Sequence, residues 1–465
     1  MRTRQKDVAN MLIKGGTVVT GADTFTGDVL IENGVVVRIG LDLAADGADV
    51  VDARGKLVLP GAVDVHTHFD LDVGIATAVD DFYTGTVAAA CGGTTTIVDH
   101  MAFGPPGCSL GHQVARYHEL AGGKAVVDYG FHGVIQHVDD SVLADMERLA
   151  DEGITSYKMY MTYGYALADA DILRVMARTK ELGLMVSAHP ENDGTITYFK
   201  DLFHRQGKLA PEFHAKSRPY QCESEAVNRL LLFSEMLGDV PLYVVHLSNG
   251  LGLDYCKQAR QRGLRKVFVE TCPQYLFLNE ELYKQDDGLK YIMSPPLRGA
   301  AHSEALWRGI ELGDIDTIGT DHCPFNFNTE KQQGAADFAK CPNGAPGVEM
   351  RLPLMYSEGV AKGRISLNKL VSLCATEPAK LFGLYPNKGT IAPGSDGDIV
   401  IMNPNTVWTV TKQDLHEAVD YSPYEGFQLT GRIEAVVSRG DIVVKDNKFI
   451  GEKGRGKFMR RRRPF

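Results

Sequence analysis

The stretch GAVDVHTHF ends an apolar run on two histidines one residue apart, His66 and His68. Side chains of a strand alternate between its two faces, so this pair points the same way. Two imidazoles on one side of a strand end can hold a metal ion. They can also be surface residues, or histidines satisfied by neighbouring polar groups. Other chemistry-bearing residues recur at matching places: Lys158 in SYKMY, His189 closing LMVSAH, His246 closing LYVVH and Asp321 closing IDTIGTD. Each alone has an ordinary reading, as a hydrogen-bonded core histidine or a lysine snorkelling to the surface. Their joint recurrence is the informative feature. Four imidazoles and a carboxylate suit zinc, and also manganese, iron or cobalt. They are too many for one tetrahedral catalytic site that keeps an open position. Two ions need a bridge, and an ammonium has no lone pair to offer. A neutral lysine amine can take up carbon dioxide to give an anionic carbamate with two oxygens, and burial beside cations favours the neutral amine.

The elements that must position these residues are eight short apolar runs: VLPGAVDVH, TTTIVDH, VVDYGFHG, ITSYKMY, LMVSAH, LYVVH, KVFVET and IDTIGTD. Helical stretches such as DSVLADMERLADEG and ADILRVMARTKELG lie between them. Strands alternating with helices predict an α/β chain, a (β/α)8 TIM-like barrel, with a larger open sheet as the alternative. Barrel enzymes carry their chemistry at the C-terminal ends of the strands, where His66, His68, Lys158, His189, His246 and Asp321 fall. Asp99, His100, His132 and Glu270 lie on the remaining runs without an assigned role. His112, His118, His204, His214, His302 and His416 fall in loop or helix contexts. Short β-rich runs separated by glycine and Asn-Gly turns crowd both ends of the chain. Residues 1–60 and 390–450 are therefore expected to form one small β-sandwich, with the barrel at 61–389 inserted between its halves. A basic tail, 451–465, follows. Its run Arg460–Arg463 reads as a solvated tail or a subunit contact.

The 465 residues carry 44% hydrophobic and 23% charged side chains, which suits a globular chain with a sizeable core. A net charge of -10 gives no general reason to expect nucleic-acid binding. The eight scattered cysteines form no CxxC pair and read as reduced thiols, pointing to the cytoplasm. No secretory apolar core follows the charged N-terminus, and no apolar run is long enough to span a membrane.

The motifs GAVDVHTHF, DDFYTGT, GGTTTIVDH, SYKMYMTY, AHPEN, VHLSN, ETCPQYL, MSPPLR, TDHCPF and CPNGAPGVE together resemble the cyclic amidohydrolases, and among them the dihydropyrimidinase and D-hydantoinase family. The likeness covers nearly the whole chain. HTHFDLDVGIA, HMAFGP, FHGVIQH and VDYSPYEGF are most similar to the bacterial D-phenylhydantoinases of that family. The resemblance implies a binuclear centre. His66, His68, Lys158 and Asp321 would hold the more buried ion, and Lys158, as N6-carboxylysine, with His189 and His246 the second. Zinc is the expected metal, with manganese or cobalt as alternatives. A hydroxide bridging the ions would attack a ring carbonyl, with Asp321 shuttling the proton and Tyr163 bonding the carbonyl oxygen. Ser294 and Asn343 match positions whose backbone groups hold the ring amide, although MSPPLR stands where the family usually has CSPPLR. The implied reaction opens 5-substituted hydantoins, with D preference, to N-carbamoyl amino acids. The implied assembly is a homotetramer.

Dihydropyrimidinase activity on dihydrouracil or dihydrothymine is the alternative, because both rings present the same imide-like face. Dihydroorotases usually carry an arginine where Asp70 stands, and an aspartate there would repel a substrate carboxylate. Allantoinases usually continue the histidine pair with an NEPG-like stretch in place of DLDVG. A non-catalytic scaffold is disfavoured because all six ligand positions are filled. Phe69, Leu71, Val73 and Ile75, with Tyr163, Tyr165 and Leu167, are expected to form an apolar rim suited to a 5-aryl substituent.

Overall fold

The computed structural model describes residues 10–465, and the charged N-terminal stretch lies outside them. Eight parallel strands occupy the eight apolar runs: Ala62–Thr67, Thr94–His100, Asp128–Val134, Ser156–Tyr160, Met185–His189, Leu242–Val244, Val267–Thr271 and Thr317–Ile318. They pair in chain order, each parallel to the next. Almost all of their residues are buried, because helices cover the outside and side chains fill the inside, so the runs are continuously apolar. The ring closes where the Asp321 amide donates to the His66 carbonyl at 2.8 Å and Thr67 bridges to His322. Arg351, fully buried, spans that seam by donating to the carbonyls of Val63 (2.9 Å) and Ile318 (2.8 Å). A barrel is formed, and the open-sheet alternative is set aside.

The connecting helices follow local signals. In Asp140–Asp151 the Asp139 side chain caps the first turn by accepting from the Val142 amide at 2.9 Å. Asp169–Leu182 stops at Gly183, whose φ of 68° is the left-handed conformation that a glycine adopts without a Cβ clash.

Both chain ends build a second, mixed sheet of nine strands. Met11–Val19 pairs with Thr24–Glu32 on one side and with Asp49–Asp52 and Leu57–Pro60 on the other. Leu57–Pro60 in turn pairs with Ile399–Thr409, which joins the N-terminal and C-terminal strands in one sheet. Ile13, Val29, Ile31, Ile399, Ile401 and Val437 share a separate apolar core.

The side chains of Arg460, Arg462 and Arg463 are exposed, as a solvated tail would have them, but the segment is docked and Arg461 departs from that expectation. Phe458 bridges to Tyr129, the Arg462 amide donates to the Gly383 carbonyl at 3.0 Å, and Arg461 is 3% exposed inside the barrel. A guanidinium whose donors reach carbonyl and hydroxyl oxygens can be buried, and the local charge run gave no sign of those partners.

Candidate active site

His66 and His68 project together at the end of the first barrel strand, their rings against His100, beyond a register irregularity that separates Asp64 from Thr67. Asp64 accepts from the His66 amide at 3.1 Å and from the Thr320 hydroxyl at 2.7 Å, tying the first strand to the loop that presents Asp321. The Asp321 Oδ1 atom lies 3.1 Å from His66 Nε2 and 3.2 Å from His68 Nε2. Across the barrel, His246 Nε2 and His189 Nδ1 approach to 3.0 Å. Lys158 is buried in the fourth strand, in register with Ser187 of the fifth. His246 and Asp321 hold φ angles of 39° and 54°, and Tyr163 one of 70°. Left-handed backbone at non-glycine residues carries strain and collects at functional sites.

Carboxylates fix which imidazole nitrogens face inward. Glu270 holds His66 Nδ1 at 2.5 Å, leaving Nε2 buried and turned toward Asp321 Oδ1. Glu191 holds His189 Nε2 at 2.8 Å, leaving Nδ1. Glu191 is itself anchored by Arg218 at 2.6 Å. Imidazoles whose far nitrogen is held by a carboxylate are the usual arrangement behind a metal ion. Gly319 makes room for this support, since a side chain there would collide with the Glu270 carboxylate and with His66 Cβ.

The electrostatics favour a cation. Burial opposes charge on His66, but Glu270 and Asp321 outweigh it and raise its pKa to about 9. Burial dominates at His68, lowering it to about 4 against the pull of Asp321. Burial also lowers His189 and His246. Asp321 stays ionised well below the usual carboxylate range, because His66 and His68 overcome its burial. Burial brings Lys158 down to about 8, with Asp321 and Glu270 opposing. A sizeable neutral fraction at mildly alkaline pH is what carbamate formation requires. The donor set, its inward nitrogens and this field fit divalent metal binding. His66, His68 and His100 also form a metal-capable group, their donor atoms within 4.8 Å of one another.

A cavity of about 660 Å³ opens over these residues, within the range of small-molecule sites. His68, Lys158, His189, His246 and Asp321 line its depth. Tyr163 is 38% exposed at the mouth, yet its hydroxyl is buried and turned toward Ser294 and Asn343. Burial of that hydroxyl raises its pKa, and nearby Arg218 tempers the rise. The Asn343 amide donates to the Ser294 hydroxyl at 2.9 Å. Leu71, Val73, Ile75, Phe103 and Tyr165 supply apolar wall, with the Phe103 and Tyr165 rings 4.2 Å apart.

Three expectations from the sequence change here. Phe69 is fully buried against Phe82 and His322, because the inward turn of its strand end places it in the core. Leu167 packs on the barrel core and does not line the cavity. Asp70 also lies outside the cavity lining, and its carboxylate accepts from the Phe82 amide at 3.1 Å. It therefore does not screen substrates by direct repulsion. Sequence reading left Glu270 unassigned and did not single out Glu191 or Phe103. Glu270 closes a strand as the ligand candidates do, and Glu191 follows His189 by two residues, so both had a positional signal.

The Amidohydrolase family model matches residues 57–443. The D-phenylhydantoinase of Escherichia coli O1:K1 / APEC is 49% identical over 456 residues, 98% of each chain. The dihydropyrimidinase structure from Brevibacillus agri superimposes with a TM-score of 0.96 at 43% identity, covering 97% of this chain and 99% of that one. A D-hydantoinase structure from a Bacillus species, AR9, gives 0.95 at 45% identity, again over 97% and 99% of the two chains.

Proposed function

Because the chain belongs to the amidohydrolase family, we propose that it opens the ring of 5-substituted hydantoins, D-configured and aryl-bearing by preference, to N-carbamoyl amino acids. The observation that carries this reading is the buried convergence of His66, His68, His189, His246 and Asp321 around Lys158 beneath a cavity with an apolar rim. His66, His68, Asp321 and Lys158, as N6-carboxylysine, would hold one divalent ion, and Lys158, His189 and His246 the other. Two such ions, zinc first and manganese or cobalt as substitutes, would activate water and polarise a carbonyl.

The chain's own groups carry the remaining steps. The inward hydroxyl of Tyr163 donates to the ring carbonyl oxygen as it gains charge. Asp321 accepts a proton from the attacking water and returns it to the leaving ring nitrogen. Backbone groups at Ser294 and Asn343 hold the ring amide. One water is consumed: its oxygen ends on the carbonyl carbon, the C–N bond breaks, and the nitrogen gains a proton. Leu71, Val73, Ile75, Phe103 and Tyr165 exclude water around the 5-substituent. The eight unpaired cysteines support a cytoplasmic location for the enzyme. The family resemblance makes a homotetramer the assembly expected of the enzyme.

A substrate panel tests the proposal. The D enantiomer of 5-phenylhydantoin should have a higher kcat/KM than its L enantiomer or dihydrouracil. A higher value for dihydrouracil reassigns the enzyme to dihydropyrimidines, and no turnover of either ring overturns the reading.

A further inference from the structure

Arg461 is a buried charged group that the proposed reaction does not use. It comes from the C-terminal segment, enters the barrel interior, and has no carboxylate within ion-pair distance among the described residues. Burial pulls its pKa down to about 9, which leaves it charged at neutral pH. One guanidinium nitrogen donates to the Phe131 carbonyl of the third strand at 2.5 Å, and another to the Ser156 hydroxyl of the fourth at 2.9 Å.

The hydrogen bonds beyond Ser156 have only one consistent direction. His132 Nε2 lies 2.9 Å from the Val65 carbonyl, which can only accept, so Nε2 carries the proton. Burial and the Arg461 charge keep His132 neutral, which leaves Nδ1 as an acceptor. The Ser156 hydroxyl, 2.6 Å away, therefore donates to Nδ1 and accepts from Arg461. The chain of bonds runs Arg461 to Ser156 to His132 to Val65.

Two links of this chain, Val65 and Ser156, lie on strands that carry ligand candidates. Val65 precedes His66 in the first strand. Ser156 shares the inner face of the fourth strand with Lys158, two residues on. The His132 ring also stacks at 4.2 Å on His100, which lies 4.5 Å from the His66 ring and 5.1 Å from that of His68.

We propose that Arg461 is a positioning residue of the metal centre: by donating to Ser156 it orients the Ser156–His132–Val65 crossbar that joins the fourth strand to the first beneath Lys158 and His66. The inference rests on the metal-dependent reading above. Removing it leaves the ligands in place but loosens the distance the bridging lysine must span.

The test uses the full-length protein loaded with zinc and follows release of the ion to a chromogenic chelator well below the melting temperature. Arg461→Met should release zinc ~10-fold faster or more, the scale on which groups behind metal ligands act. Arg461→Lys should recover part of the loss, since an ammonium can still donate to Ser156 or Phe131. Ser156→Ala keeps the Arg461–Phe131 bond and should also speed release, and it decides the matter if Arg461→Met does not fold. Folded Arg461→Met and Ser156→Ala that both release zinc within about twofold of wild type overturn the crossbar and leave the proposed function standing. Wild-type protein that retains no zinc overturns both.

Discussion

At the floor of the cavity, His66 has one nitrogen fixed by Glu270 and His189 has one fixed by Glu191, all within buried strand ends. At the rim, Val73 and Ile75 stand 41% and 54% exposed on a loop. Floor residues are over-determined: each side chain answers to a second polar group, and leaving either unpaired in the interior costs free energy. Rim residues are held only by their loop and by neighbouring apolar surface. The floor should therefore tolerate almost no change and govern whether catalysis occurs. The rim should tolerate substitution and govern which ring is chosen.

The strongest way to break this contrast is at Lys158. Lys158→Ala should lose at least ~10³-fold in kcat/KM, the scale of several kcal/mol of lost metal-assisted stabilisation. Elemental analysis should show the metal content fall with it. Normal metal content and rate would remove Lys158 from the floor.

Tyr163 sits between the two regions, ring at the mouth and hydroxyl inside. Tyr163→Phe should lower kcat by ~10²–10³ with a smaller change in KM, since its donor acts most strongly on the developing charge. Tyr165→Phe, whose ring packs on Phe103, is the matched control and should stay near wild type. Equal effects for the two variants would make Tyr163 a rim residue.

The lowered Lys158 pKa gives a pH signature. Only the neutral amine reacts with carbon dioxide, and its neutral fraction grows as pH rises through about 8. Reactivation of metal-stripped, decarboxylated protein at fixed dissolved carbon dioxide should accelerate with pH and level off above about 8. Below that point the rate should fall about tenfold per pH unit, because each unit is a tenfold change in the neutral fraction. A flat profile from pH 6 to about 9 would contradict a titrating amine at the floor.

The smallest effect is expected at the rim. Val73→Ala and Ile75→Ala should each lower kcat/KM for 5-phenylhydantoin about fivefold, since a half-exposed side chain contributes less than the ~1.5–3 kcal/mol of full burial. Dihydrouracil turnover, lacking the aryl contact, should barely change. Parallel losses on both substrates would show that these residues only pack the loop.

The strand-end ligand candidates were legible in the sequence because a strand's two-residue period is local. His66 and His68 declare a shared face without reference to any other part of the chain. Eight apolar runs also announced eight barrel strands, since burial on both faces leaves its mark on each run separately. What surrounds those residues was decided by contacts between distant segments. Glu270 meets His66 across 204 residues of chain, and Arg461 meets Ser156 across 305. Neither contact leaves a periodic trace. The same limit explains Phe69, which the sequence placed at the rim and packing drew into the core, and Arg461, the one buried member of an otherwise exposed arginine run. Local pattern determined which side chains share a strand face. Only the closed barrel decided which polar groups stand behind them, because burial makes each group depend on whatever partner the tertiary structure brings within hydrogen-bond distance.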